Sequence, residues 1–222
     1  MAVARKRPPG TPLTREHIVR VALGIVDDDG LKALSMRRLG AQLGTDPMAV
    51  YYHLPNKDAL LDAIVEAVMA DIDLAVDDPD APAEERVMCA ARAYRDALLA
   101  HINALPIVLT RGPATPVALR PVELLTGILR DAGLPPSQAM AGMNAIAATV
   151  RGTVAMVADG PAAPPSADAM RAMAEQFPAG EFPHLREASL CPEDFLNDDF
   201  EFGIRALARG LLSCVEQRAT GC

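Results

Sequence analysis

Residues 35–54 contain a short helix, a tight turn and a second short helix, and this unit constrains the fold more than any other feature. Ser35 can cap the first helix, and Gly44 supplies the turn. Asp46 can cap the second helix, residues 47–53, with a proline in its first position, where proline is favoured. A helix this short is not stable alone, so it must pack on its neighbours. We therefore predict a small helical domain built around this unit.

Longer helices flank the unit on both sides. Thr14 is a good N-cap for a helix with apolar residues at helical spacing. Asn56 can cap a long helix over residues 57–76, which the Asp/Pro-rich segment 77–82 ends. We place the domain boundary near residue 56. Residues 14–56 then form a helix-turn-helix domain, and residues 57–76 form a connector helix.

The rest of the chain, within a predicted domain of residues 57–222, is also helical in pattern. Helix-forming residues dominate, and aromatic residues make up only 4% of the sequence, which favours an all-α fold over a β-rich one. The apolar spacing predicts helices over residues 83–103, 106–112, 117–132, 137–159 and 193–218. The proline-rich stretch 160–192 is predicted to be a long loop, with a helical turn or more at 166–177.

Charge is distributed unevenly along the chain. The net charge is −8, yet residues 1–60 carry +3 and residues 61–222 carry −11. A basic N-terminal part on an acidic body is expected when one end of a protein meets phosphates. Residues 1–13 form a basic, Pro-rich arm. Its cations at positions 5–7 can enter a minor groove, but we favour a flexible, solvated arm.

Sequence signals for export or membrane insertion are not found. No stretch has 18 uninterrupted apolar residues, which argues against a membrane span. The basic N-terminus lacks the apolar core of a signal peptide. We therefore expect a cytoplasmic protein that does not contact a membrane.

A short exposed helix suits the major groove of B-DNA, which is about 12 Å wide and admits one α-helix. Two of the chain's three tyrosines and a histidine stand at adjacent positions 51–53. Adjacent residues on a helix point in different directions, so a purely core helix would not carry all three. The side chains that could reach bases or phosphates are Met48, Ala49, Tyr51, Tyr52, His53 and Lys57.

The run LSMRRLGAQLGTDPMAVYYHLPNKDALLDAI resembles the DNA-binding domain of the tetracycline-repressor (TetR) family. Its segment LGTDPMAVYYHLPNK matches the family pattern of Leu-Gly, Tyr-[Trp/Tyr]-His and Asn-Lys without gaps. The resemblance implies a homodimer that binds a pseudo-palindromic operator in double-stranded DNA. It also implies a transcription regulator, usually a repressor that a small-molecule effector releases.

The same resemblance assigns phosphate and base contacts to polar residues. Arg37 takes the position of an arginine that contacts bases or phosphates, and Lys57 that of a phosphate-binding lysine. Thr14 and Ser35 can hold phosphates at helix N-termini. Arg38 is a further candidate for a phosphate contact, with a solvated surface charge as the alternative.

The reading helix itself carries the other assigned contacts. Met48 and Ala49 take positions that read bases, although a polar residue is common where Ala49 stands. Tyr51, Tyr52 and His53 resemble side chains that contact the DNA backbone and thymine methyl groups. For Tyr51 the alternative is packing against the first helix.

The segments ARAYRDALLAH and FEFGIRALARGLL resemble stretches of the tetracycline-repressor type of C-terminal domain. This resemblance implies that helices 137–159 and 193–218 form a four-helix bundle with those of a second subunit. It also implies a ligand pocket between the connector helix and helices 83–159. The candidate wall residues are Val65, Met69, Tyr94, Leu98, His101, Met140, Met143, Asn144 and Met156.

Two alternatives apply to this pocket. Each methionine, taken singly, is as well explained by an ordinary core. Arg151 could pair with an acidic ligand, but we favour a bridge to an acidic side chain. The alignment places Ala90 and Val108 where the tetracycline repressors have their drug-binding asparagine and magnesium-binding histidine. We therefore expect no tetracycline, metal or cofactor.

An enzymatic function is not expected from this sequence. It contains no nucleophile elbow, no glycine-rich phosphate loop and no cluster of His, Asp and Glu at metal-ligand spacing. The main alternative is a regulator that acts without a small molecule, constitutively or through a protein partner. A filled core without a cavity would favour that alternative.

Overall fold

The computed structural model describes residues 13–159, 166–178, 180–190 and 199–219, which are helical and contain no strand. The first four helices are α1 (Arg15–Asp29), α2 (Met36–Leu43), α3 (Pro47–Tyr51) and α4 (Lys57–Ala70). The next four are α5 (Ala83–Ala100), α6 (Leu105–Thr110), α7 (Pro116–Asp131) and α8 (Pro136–Asp159). The last three are α9 (Ala167–Gln176), α10 (Pro183–Leu190) and α11 (Asp199–Ala219). The all-α fold expected from the sequence is confirmed.

Side-chain caps begin each of the first four helices. The Thr14 hydroxyl accepts a hydrogen bond from the His17 backbone N–H, and Ser35 does the same for Arg38. The carboxylate of Asp46 accepts from Met48, and the amide oxygen of Asn56 accepts from Ala59. These bonds satisfy backbone donors that have no partner within the helix. The sequence therefore fixes where each helix begins through local contacts alone.

The turn between α2 and α3 depends on two glycines. Gly44 lies in the left-handed region at φ 65°, which a residue without a Cβ adopts at little cost. Gly40 is buried in α2, and a Cβ there would lie 3.0 Å from the Thr45 carbonyl oxygen and 3.1 Å from Pro47. Only glycine lets α2 approach the turn and the start of α3 this closely.

The connector helix α4 is shorter than predicted. It ends at Ala70, and residues Leu74–Val76 form a separate 3₁₀ turn. The carboxylate of Asp73 caps that turn by accepting from the Ala75 N–H at 2.9 Å. A side-chain cap here starts a new element and breaks the helix that apolar spacing alone would continue.

Within residues 160–192, α9 lies where a helical turn or more was predicted at 166–177, whereas the loop predicted over 183–190 was wrong because α10 forms there. Ser166 caps α9 by accepting from Ala169, and α10 begins with Pro183 in the first helical position. The two helices pack on each other, and Met170, Ala174 and Ser189 become buried. Arg186 donates to the Ala174 carbonyl at 3.2 Å. Prolines here mark helix starts rather than an unstructured stretch.

Helices α5, α7, α8 and α11 pack together to form the body of the molecule. Charged pairs fix α11 on α5: Arg92 with Glu201 at 2.5 Å, and Arg205 with Glu84 at 2.7 Å. Because Arg92 donates two hydrogen bonds to Glu201, the pKa of that carboxyl lies below its usual value. Ion pairing therefore sets the position of α11 along α5.

The outer face of α8 is apolar and exposed in the single chain. Its exposed residues include Met140, Ala141, Ala148, Gly152 and Met156. By length and composition, Pro136–Ala158 could cross a membrane, and 28% of its most apolar stretch is buried. The opposite face of α8 packs on α5, α7 and α11. One face of this helix therefore lacks a cover within the described chain.

The close approach at Gly40 leads to a stability prediction. We expect Gly40→Ala to lower the free energy of unfolding by about 1–3 kcal/mol, since the added methyl meets backbone atoms that cannot give way. The control is Gly24→Ala in α1, where nothing lies within 4 Å of the added atom. That variant should gain up to about 1 kcal/mol from helix propensity. Urea unfolding measures both, and equal effects of the two substitutions would contradict the packing argument.

Candidate functional site: an exposed helix face and an apolar cavity

The outer face of α3 exposes large side chains. Tyr52 is 90% exposed and Met48 is 64% exposed, whereas Val50 is completely buried. Val50 anchors α3 in the core that α1, α2 and α4 share. Large apolar side chains that are exposed together on one surface indicate a binding site.

The remaining predicted contact residues of α3 border this face. Ala49 is half-buried, His53 is exposed, and Tyr51 is 37% exposed. Tyr51 therefore divides its ring between solvent and protein, so that both interpretations given for it are partly compatible with its position. Together with Met48 and Tyr52, these residues form what we call the reading face.

Cations surround the reading face unequally. Arg37 and Lys57 are exposed, and neither has an ion-pair partner among the described residues. Arg38 instead pairs with Asp29 at the end of α1, which neutralises much of its charge. Thr14 and Ser35 stand exposed at the N-termini of α1 and α2, where backbone N–H groups attract anions. Among the described residues, this surface therefore presents two unpaired cations and two exposed helix N-termini beside the reading face.

A cavity of about 220 Å³, partly open to solvent, lies behind the helix-turn-helix unit. Its walls come from α4, α5, α7 and α8 together with the end of α6. The lining is largely apolar and includes Val65, Val108, Val122, Leu125 and Ile146. A largely apolar lining with a few polar groups is typical of sites for small organic molecules.

The structure brings five of the nine predicted pocket residues to this cavity. They are Val65, Met69, Tyr94, Met143 and Asn144. The residues at the positions of the tetracycline-binding and magnesium-binding side chains, Ala90 and Val108, also line it. Both are apolar and supply no ligand atom for a metal.

The other four predicted pocket residues lie elsewhere. Leu98 is buried in the core between helices. Met140 and Met156 lie on α8 but outside the cavity lining, and both are exposed. His101 lies past the end of α5, at the junction with α1 and α4.

Polar groups in the cavity are few, and two of them lie close together. Burial raises the pKa of the Tyr94 phenol above its ordinary value, and the positive charge of nearby Arg151 acts in the opposite direction. The Nε of Arg151 donates to the carbonyl oxygen of Ala147 on its own helix at 3.2 Å. Within the described chain Arg151 forms no ion pair, so the acidic bridge favoured from the sequence is not seen.

Arg111 connects the cavity to the connector helix. It follows α6, lines the cavity, and pairs with Asp58 and, at 2.6 Å, with Asp62, both on α4. The hydrogen bonds that Arg111 donates to the carboxylates of Asp62 and Asp58 raise the pKa of Arg111. We refer to this group as the Arg111 tie.

His101 forms a second link between the two parts of the chain. Its Nδ1 lies 2.9 Å from an Asp27 carboxylate oxygen on α1, and its Nε2 lies 3.0 Å from Asp71 at the end of α4. The side-chain amide of Asn103 donates to the Asp27 carbonyl at 2.7 Å. We refer to this group as the His101 tie.

Sequence reasoning missed Arg111, Asp58 and Asp62 as a connected group. The pairing joins residues 49 and 53 positions apart, so no local pattern reveals it. The available signal was weaker: two acidic residues four positions apart on one face of α4, which calls for a cation across from them.

Two family models match the chain and together cover most of it. Residues 18–64 match "Bacterial regulatory proteins, tetR family". Residues 78–215 match "Tetracyclin repressor-like, C-terminal domain". The boundary between the two matches falls within α4 and the segment that follows it.

Curated relatives include regulators from two bacterial groups. An HTH-type transcriptional regulator of Saccharopolyspora erythraea is 32% identical over 142 residues, covering 64% of this chain and 60% of that protein. The chain therefore matches less than two thirds of that relative's length. The class A tetracycline repressor from transposon 1721 of Escherichia coli is 30% identical over 204 residues, covering 90% of this chain and 91% of that repressor.

Among solved structures, ActR from Streptomyces coelicolor is similar over nearly its whole length. Apo ActR superimposes with a TM-score of 0.82 at 31% identity, covering 94% of this chain and 99% of ActR. ActR in complex with actinorhodin gives a TM-score of 0.79 at 32% identity, covering 92% and 99%.

Proposed function

Because the chain belongs to the TetR family of bacterial regulatory proteins, we propose that it is a transcription repressor that a small molecule releases from its operator. The observation that carries the proposal is the pairing of an exposed reading face with an apolar cavity across one shared helix, α4. Members of this family are regulators, and we assign no enzymatic activity to the chain. It acts in the cytoplasm, where the operator DNA lies.

The reading face supplies the proposed DNA contacts. Met48 and Tyr52 project far enough to make apolar contacts with thymine methyl groups in the major groove. Arg37 reads a base or a phosphate, and Lys57 binds a phosphate, because both are exposed beside α3. Arg38 acts mainly within the protein, since Asp29 already holds its guanidinium.

The cavity supports control by a small molecule over constitutive action. A regulator without an effector does not need a largely apolar cavity of about 220 Å³, whose walls lack packing partners while it is empty. ActR, which is similar to this chain, has been solved with actinorhodin. Ala90 and Val108 offer no polar atom to tetracycline or magnesium, so the effector of this chain belongs to another chemical class.

The Arg111 tie and the His101 tie convert ligand binding in the cavity into movement of the reading face. Arg111 lines the cavity and grips the N-terminal half of α4, which leads directly from the reading face. The His101 tie holds the other end of α4 and the end of α1. A ligand that displaces Arg111 lets α4 swing and changes the spacing of the two reading helices. Release requires that the ligand bind the two states with different affinity.

A homodimer accounts for the exposed apolar face of α8. This face and the neighbouring side of α11, where Phe202 is 78% exposed, can form a four-helix bundle with a second copy. The small residues Ala148 and Gly152 allow helices to approach closely. A cover of this kind also removes the reason to place α8 in a membrane. Two reading helices related by a two-fold axis suit a pseudo-palindromic operator.

The first prediction concerns specific DNA binding. We expect the protein to bind DNA from upstream of its own gene more tightly than a scrambled duplex, in a fluorescence anisotropy titration. Arg37→Ala and Tyr52→Ala should each cost about 1–3 kcal/mol of specific binding. Arg120→Ala, an exposed arginine on α7, is the charge control and should bind normally. If genome-wide selection of fragments also finds no preferred site, the repressor proposal is wrong.

The second prediction separates the Arg111 tie from a direct DNA contact. Arg111→Gln frees Asp58 and Asp62, so we expect operator affinity to fall about fivefold or more through loss of coupling. The slope of log affinity against log salt should stay unchanged, because Arg111 binds carboxylates and not phosphates. Lys57→Gln should instead reduce that slope by about one. A reduced slope for Arg111→Gln would identify it as a phosphate contact.

The third prediction concerns the dimer. Ala148→Glu places a charge on the outer face of α8, and we expect it to shift the protein from dimer to monomer, because a buried unpaired charge is costly. Sedimentation velocity measures the two species. Ala41→Glu, at an exposed position of α2, is the matched control and should remain dimeric. A dimer that persists in Ala148→Glu would place the interface on another surface.

A further inference from the structure

Two arginines line the cavity, and they have different hydrogen-bond partners. Arg111 has two carboxylate partners on α4, which neutralise it. Arg151 has none among the described residues, and its one hydrogen bond is to the carbonyl oxygen of Ala147 on its own helix. That bond uses Nε, and among the described residues the two terminal nitrogens of the guanidinium have no acceptor. A positive charge thus faces a mostly apolar space.

The position of Arg151 follows from helix geometry. Met143, Ala147 and Arg151 recur every four residues along α8 and therefore share the face that lines the cavity. Tyr94 stands opposite on α5, close enough for its phenol to sense the Arg151 charge. Arg151 is half-buried, so its side chain is less well solvated than that of a fully exposed arginine. A charge held there without a counterion is costly unless something supplies one.

Other charges at the cavity do not supply this counterion. Asp73 also lines the cavity, but it is exposed, caps the turn Leu74–Val76, and forms no ion pair with Arg151. Asp58 and Asp62 are already committed to Arg111. Among the described residues that line the cavity, the remaining polar side chains are neutral: the Tyr94 phenol and the side-chain amide of Asn144.

We propose that the effector is an organic anion: a largely apolar body with a carboxylate, sulfonate or similar acidic group that pairs with Arg151. The apolar walls hold the body, and the guanidinium donates charge-assisted hydrogen bonds to the acidic group. Tyr94 and Asn144 add neutral hydrogen bonds beside it. A neutral molecule of the same shape binds less well, because it leaves Arg151 desolvated and unpaired. This inference rests on the proposed function and names the chemistry of its effector.

Two fluorescent probes that differ in one group test the inference. 8-Anilinonaphthalene-1-sulfonate is an anion, and N-phenyl-1-naphthylamine is the same ring system without the sulfonate. Both brighten in apolar surroundings, so both can be titrated on the full-length protein. We expect Arg151→Gln to lower the affinity for the sulfonate probe about ten- to a hundredfold. The neutral probe should stay within about twofold of its wild-type affinity.

Two further variants locate the effect. Arg120→Gln removes an exposed arginine outside the cavity and should leave both probes unchanged. Ala147→Phe fills the cavity beside Arg151 and should weaken both probes together. Circular dichroism and thermal melting confirm that each variant is folded. With this set, a charge effect, a shape effect and a loss of fold give different patterns.

Several outcomes would overturn the inference. If Arg151→Gln leaves the affinity of the sulfonate probe unchanged, the anion does not use this arginine. Equal weakening of both probes would mean that Arg151 shapes the cavity and does not recognise charge. A shift toward monomer in sedimentation, with both affinities unchanged, would assign Arg151 to the subunit interface. Sulfonate binding that survives Ala147→Phe would place the anion on another surface.

The DNA experiment keeps this inference separate from the proposed function. Arg151 lies on α8, outside the helix-turn-helix unit, so Arg151→Gln should bind operator DNA as the wild type does. Absence of any specific DNA binding by the wild type would refute the repressor function, whereas the contrast between the two probes would still stand. Normal DNA binding without that contrast would refute only the anionic effector.

Discussion

Burial of α4 is the constraint on which the rest of the structure depends. Leu60, Ile64 and Val68 are fully buried and belong to one continuous cluster of apolar side chains that runs from α1 to α11. One side of α4 packs on α1, and other parts of it pack on α5, α6 and α7. Because protein interiors are close-packed, a shift of α4 against the cavity must move the helices of the reading face with it. The two halves of the chain therefore cannot act independently.

The polar ties have a different task from this apolar packing. Arg111 and His101 are partly exposed, and so are most of the carboxylates they meet. Ion pairs in such surroundings add little to stability, since water and salt screen them. They are directional, however, and they set the angle at which α4 leaves the body. Contacts that fix an angle at low energetic cost are suited to a helix that must move when a ligand binds.

Short sequence patterns, such as helix caps and apolar spacing, predicted more of this fold than could be predicted about contacts between residues far apart in the chain. The caps at Thr14, Ser35 and Asn56 were predictable because each involves residues three apart. Apolar spacing likewise gave the main helices. The early end of α4 was missed because a cap at Asp73 competes with the helix that the same spacing favours. Helix α9 lies where a helical turn or more was predicted, at 166–177, but α10 was missed because proline density was taken as a sign of a loop.

The functional site likewise has one part that a local motif predicts and another that depends on contacts between distant residues. The exposed reading face follows from a short motif, so its residues could be named from the sequence. The cavity is assembled from five helices, and helix spacing alone could not separate Met143, which lines it, from Met140 and Met156 on the outer face. His101 was assigned to the cavity wall because nothing in the sequence links it to Asp27, 74 residues away. Contacts across such distances depend on packing, which the linear pattern does not encode.

The two arginines of the cavity illustrate how one type of side chain can serve two purposes in the same space. Arg111 is neutralised by Asp58 and Asp62, so its contribution is position, and a ligand must break existing pairs to use it. Arg151 has no such pairs to break, so an incoming acid gains the full interaction. A neutral ligand does not form this interaction, and it also leaves the Arg151 cation desolvated. The difference in affinity between an acidic and a neutral ligand is therefore larger than the attraction alone would give. Recognition and transmission can thus be assigned to different residues of one cavity, and a change in effector chemistry at Arg151 need not disturb the tie that moves α4.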